Sequence, residues 1–230
     1  MSMPKFYKNA YLYLALGLVI VVIGFTPSYF SRLSELSSPY HIHGISATLW
    51  MILLIIQPYL YKKGKLKLHK ILGWSSLVLV PMIIIGGMKM MQFMIQHQEN
   101  YPPDTVYKLA FIDALTLFSF GLLFLLAIWY RRNLQLHARY MVSTIFGPLL
   151  PALTRVFFIL GIGTSFDTAL TYSYLLVELV LILIIWTERT KKEMKITYFP
   201  FLAFIVLEHL LMYFSNEWIW WRSIMNAFAS

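Results

Sequence analysis

The chain contains six histidines and no cysteine, so its chemistry rests on imidazoles, carboxylates, thioethers and phenols. Disulfides, thiolate metal sites and cysteine nucleophiles are excluded whatever the compartment. His69 and His137 each follow a basic stretch and open an apolar run, with a basic residue close by, Lys70 or Arg139. Two imidazoles facing each other from neighbouring helices would supply the two axial nitrogens that haem b requires, and Lys70 and Arg139 are placed to receive its propionates. The alternative is that both histidines simply occupy the headgroup layer, where helix starts accept His freely.

A second group lies deeper in the apolar runs. A charged side chain at mid-bilayer costs at least ~3 kcal/mol, so one that persists there meets a partner, a cavity or a cofactor. Asp113, Arg155, Glu178, Glu208 and His209 are such residues, and His43 opens an apolar run with His41 two positions before it. Two residues turn a helix by about 200°, so both histidines face one interior only if the helix begins after His41. His43 is the better candidate; its face continues through Ala47 and Trp50 to Gln57, while the other reading leaves both at the wet interface. His43, Asp113, Glu178 and His209 form a candidate shell for zinc or copper, the metal acidifying a water held between them. Arg155 with Asp113 or Glu178 is read as a structural ion pair. Glu208 and His209 are adjacent, hence about 100° apart on a helix, and His209 is the preferred ligand or proton carrier. The methionines from Met88 to Met94 suit adaptable packing and bind copper weakly at most.

These side chains need helices that cross a bilayer. With 59% hydrophobic and 13% charged residues, the chain is far too apolar for a soluble domain. Apolar stretches of the ~20 residues needed to cross the hydrocarbon layer fall near 9–29, 42–61, 69–92, 107–130, 138–160, 169–187 and 197–215. The expectation is an all-α integral membrane protein of seven spans forming one transmembrane domain over residues 1–230. The loops after the second, fourth and sixth spans are basic and those between are polar or acidic; only Arg32, Lys89, Lys108, Arg155 and Arg222 fall outside the basic segments. That asymmetry places the N-terminus in the cytoplasm and the C-terminus outside, with the tryptophans from Trp218 to Trp221 at the outer headgroup level. Met1 to Lys8 followed by an apolar run lacks a small-residue cleavage pattern and reads as an uncleaved first helix. The net charge of +9 is spread over short loops with no continuous basic face, which argues against nucleic acid and for a lipid partner.

Two loops resemble each other. Tyr61-Lys62-Lys63-Gly64-Lys65-Leu66-Lys67-Leu68-His69 and Tyr130-Arg131-Arg132-Asn133-Leu134-Gln135-Leu136-His137 both read aromatic, two basic, polar, Leu-x-Leu-His, allowing one deletion. Helices 2–3 and 4–5 therefore look like a duplicated hairpin, with chance similarity over ten residues as the alternative.

His43-Gly44, Trp50, Gln57, Gly64 and Leu68-His69-Lys70-x-Leu72-Gly73-Trp74, together with Arg131-Arg132-x4-His137-x-Arg139-x-Met141, resemble a pattern in several poorly characterised bacterial multi-span families. One is a small family associated with haem–copper oxidase assembly. The resemblance implies a role near haem or copper in a bacterial inner membrane, carried by His43, His69 and His137, in respiratory-complex assembly or electron transfer. That family is smaller, and the spans after Arg155 have no counterpart in it. Cytochrome b561-like proteins are less similar, since they pair histidines on the same helix. Seven spans with buried His, Asp and Glu also resemble the adiponectin-receptor and alkaline-ceramidase group, which implies a zinc-dependent lipid hydrolase; the HxxxH expected on the seventh span is absent. A non-catalytic subunit of a membrane complex is the third reading. Thr197 to Ser215 has no lysine for a retinal Schiff base, and neither a nucleotide loop nor a serine-hydrolase elbow occurs.

Overall fold

The computed structural model describes residues 7, 9–103 and 105–230; the basic residues Lys5 and Lys8 of the N-terminal segment lie outside them. Among the described residues the regular structure is all helical. Six helices are long and apolar enough to cross a membrane, and a shorter apolar one precedes them. In chain order these are α1 (Ala10–Phe25), α2 (Ser38–Lys62), α3 and α4 (Leu66–Trp74, Ser76–Gln96), α5 (Val106–Trp129), α6 and α7 (Leu134–Ser143, Phe146–Ile159), α8 (Phe166–Thr187) and α9 (Lys192–Ser215). An eleven-residue helix, α10 (Ile219–Ala229), ends the chain. α1 stops at Phe25, four residues short of the expected boundary, and the chain continues through turns to Tyr29.

Each long helix is apolar around most of its circumference, as a lipid-facing helix must be. α5 illustrates the division of faces. Phe118, Leu122, Leu125 and Trp129 are exposed on one side, whereas Val106, Ala110, Phe120, Phe124 and Ala127 are buried on the other. Close crossings use glycine. A Cβ on Gly24 would lie 2.5 Å from the Ala152 carbonyl oxygen, and one on Gly86 would lie 2.9 Å from the His43 nitrogen, so α1–α7 and α2–α4 meet backbone to backbone.

The helices close into a ring. α1 packs on α2, α2 on α4, α4 on α5, α5 on α9, α9 on α8, α8 on α7, and α7 returns to α1. Two of the returning spans are interrupted, at Ser75 between α3 and α4 and at Thr144–Ile145 between α6 and α7. Ser75 and Ser76 turn their hydroxyls onto the carbonyls of Leu72 and Gly73, and Pro81 and Pro151 follow inside α4 and α7. Both devices disturb the backbone ladder. α10 folds back onto α4 and α5: Gln92 and Gln96 donate to the Phe228 and Ala229 carbonyls, and Trp221 donates to the Tyr107 carbonyl. Carbonyls at the end of α10 that no further helical turn could satisfy are thereby paired.

Candidate functional site

Two polar constellations stand at different heights of the bundle. The first is the histidine pair at the end carrying the basic loops. His69 is the fourth residue of α3 and His137 the fourth of α6. His69 Nδ1 lies 3.4 Å from the Gln57 carbonyl and His137 Nδ1 2.8 Å from the Ala127 carbonyl, each on the helix preceding its own loop. A carbonyl only accepts, so Nδ1 carries the proton and the lone pair is on Nε2. His137 lies within electrostatic reach of His69, and both rings are half-buried. Beside them the amide of Gln57 is buried with neither its oxygen nor its nitrogen hydrogen-bonded. Tyr61 sets its ring edge-on to His69 at 6.1 Å.

The two basic residues expected beside this pair differ. Lys70 is exposed. Arg139 has no exposed surface; it donates to both oxygens of Glu188 at 2.9 and 3.1 Å and to the Gln135 carbonyl and side-chain oxygen at 2.9 Å. The Tyr7 ring covers its guanidinium at 4.9 Å, and the Tyr7 hydroxyl meets Glu188 and Tyr198. Arg139 is thus held as the centre of a buried bidentate ion pair joining α6 to the end of α8, whereas Lys70 stays exposed next to His69.

The second constellation lies between α5, α7, α8 and α9. His209 Nδ1 is 2.8 Å from Glu178, its ring stacks on Tyr174 at 4.7 Å, and its Nε2 is 3.5 Å from the Tyr213 hydroxyl. The neighbouring Glu208, 2% exposed, accepts from Thr116 at 3.4 Å. The Tyr174 hydroxyl faces Glu208. Asp113 lies on the interior side of α5, in register with Ala110 and Phe120, and keeps some exposed surface. Arg155 is within electrostatic reach of Asp113 but donates to the Pro151 carbonyl and sits 4.5 Å over the Phe25 ring.

The four residues of the candidate metal shell are thus divided. His209 pairs with Glu178, and Asp113 faces Arg155 and Glu208. His43 sits apart, its Nδ1 donating to the Ile83 carbonyl at 2.9 Å where α2 crosses α4. No three His, Asp or Glu side chains among the described residues are grouped to hold a metal ion. Sequence reasoning passed over Tyr7, Tyr174, Tyr198 and Glu188, although a phenol within an apolar run is a signal for Tyr174 and Tyr198. No protein-family model, curated protein or solved structure matches this chain.

Proposed function

We propose that this is a histidine-based haem- or metal-binding protein of a bacterial inner membrane, acting in electron transfer or respiratory-complex assembly. In this reading the N-terminus is cytoplasmic, seven helices span, and the duplicated hairpins present His69 and His137 as an axial pair. One observation carries it: both imidazoles are tethered through Nδ1 to backbone carbonyls, which leaves Nε2 as the lone-pair nitrogen on two rings within electrostatic reach of each other. Such tethering fixes the tautomer and raises ligand basicity. The residues present fit a bound group, because the buried amide of Gln57 lacks the partners that buried amides ordinarily have, and Lys70 offers a cation at the headgroup level. Bound haem would supply one-electron chemistry; the chain's own part is to orient the imidazoles and to screen the site with Tyr61 and the surrounding apolar helices.

The test is an absorption spectrum with elemental analysis of iron, zinc and copper on the detergent-purified chain. Stoichiometric iron with a Soret band, lost in His69→Ala and in His137→Ala while the chain remains monodisperse, is the expected result. Zinc without colour, abolished by His43→Ala or Asp113→Ala, would replace this reading with the lipid hydrolase. A metal-free, colourless protein would leave the accessory-subunit role.

A further inference from the structure

Between α5, the α6–α7 junction and α9 lies a cavity of about 10 Å³, room for one water-sized species. Thr116, Ser119, Thr144 and Glu208 bring oxygen to its wall; Phe120, Leu150, Phe201 and Ile205 close it with carbon. The hydroxyl protons point elsewhere. Ser119 donates to the Thr116 carbonyl at 3.0 Å, Thr144 to the Met141 carbonyl at 2.7 Å, and Thr116 to Glu208; the Thr144 oxygen also accepts from Trp50 Nε1 at 3.2 Å, which leaves it one lone pair. What remains for the cavity is lone pairs and one carboxylate, an acceptor-only lining. None of the ion pairs formed by the described residues includes Glu208. The adjacent Tyr174 hydroxyl, wholly buried, faces Glu208. A carboxylate buried this way persists as the anion only beside a compensating positive charge and otherwise takes up a proton.

We infer that the cavity is a binding site for a single sodium ion, ligated by the Glu208 carboxylate and the hydroxyl oxygens of Thr116, Ser119 and Thr144. Hard oxygen ligands select a hard cation. One carboxylate among neutral hydroxyls matches a monovalent ion rather than a divalent one, and the small volume favours sodium over potassium. Asp113, three residues before Thr116, lies on the same face of α5 and adds a second carboxylate to that side of the site. The site shares no ligand with the histidine pair, so neither reading depends on the other.

Sodium-22 retention by the detergent-purified full chain, read by scintillation proximity, tests the inference alongside Tm in NaCl, KCl and choline chloride at equal ionic strength. The expected result is one sodium per chain, displaced by NaCl but not by KCl, and a Tm that rises with NaCl alone. Glu208→Gln and Ser119→Ala are each expected to weaken retention by about tenfold or more; Ser119→Ala keeps the buried charge and serves if Glu208→Gln does not fold. Absence of retention by the wild type, equal displacement by potassium, or full affinity in Ser119→Ala overturns the site. Iron content measured on the same samples reports separately on His69 and His137.

Discussion

Arg139 has no exposed surface, a position that only its partners make tenable. Removing one member of a buried pair strands the other charge, which costs about 3–5 kcal/mol, whereas replacing both with apolar groups is often tolerated. Arg139→Met should therefore lower Tm in detergent sharply, and adding Glu188→Leu should recover most of the loss; an unchanged Tm in the single variant would show that Glu188 finds another partner. The Tyr7 hydroxyl belongs to the same cluster, and burial and the neighbouring Tyr198 push its ionisation well above the ordinary phenol value. A raised folded-state value stabilises the fold fully below the unfolded phenol's ionisation at pH about 10 and loses that contribution as pH rises beyond it. Tm measured from neutral pH to about pH 11 should fall steeply above pH 10 in the wild type and less steeply in Tyr7→Phe. At this scale the sequence is a partial guide. His69 and His137 stood out as candidates because matching loops precede them, whereas of the adjacent Glu208 and His209 the sequence favoured His209, although Glu208 is the more deeply buried of the two. The role of Arg139 was not legible, since its partner Glu188 lies 49 positions away.

Helix crossings are set by where side chains are missing. At Gly24 the nearest atoms to an added Cβ are the backbone of Ala152, and at Gly86 the backbone of His43, and neither can step aside as a flexible side chain would. Gly24→Ala and Gly86→Ala should each destabilise by about 1–3 kcal/mol through forced separation of the helices. Gly147 has only ordinary contacts at 3.7 and 3.8 Å, so Gly147→Ala should be neutral or stabilising by up to about 1 kcal/mol. Thermal unfolding of the three variants checks the ordering, and equal effects at all three sites would refute the close-contact argument. The spans themselves were legible from hydropathy. The interruptions at Ser75 and Thr144–Ile145 were not, because serine and threonine are compatible with a membrane helix and act only through the carbonyls their hydroxyls reach. Both returning spans break about nine or ten residues in, six and seven positions after their histidines.

The order of helices around the ring could not be read from the chain, because α5 packs on α9, remote in sequence, as well as on the α6–α7 span that follows it, and hydropathy carries no information about neighbours. Orientation can be argued further. α1 covers only about 24 Å as regular helix, less than the hydrocarbon layer, yet its two ends are pinned to opposite ends of α2. Asn9 accepts from Lys62 at 2.9 Å, and Tyr29 packs where a Cβ on Gly44 would stand. α1 therefore runs the length of α2 in the antiparallel sense, with the turns after Phe25 making up the distance. If it spans, the basic loops share the side of the N-terminus, and the positive-inside rule makes that side cytoplasmic. Because the chain has no cysteine, a single introduced thiol reports on its own position without background. Lys63→Cys, Glu99→Cys and Ser230→Cys place that thiol on exposed residues of a basic loop, an acidic loop and the C-terminus. In right-side-out spheroplasts a membrane-impermeant maleimide should label Glu99→Cys and Ser230→Cys, and Lys63→Cys should react only in inverted vesicles. Labelling of all three from one side would contradict the spanning arrangement, and a clean reversal would show that the lysines and arginines of these loops do not set the orientation.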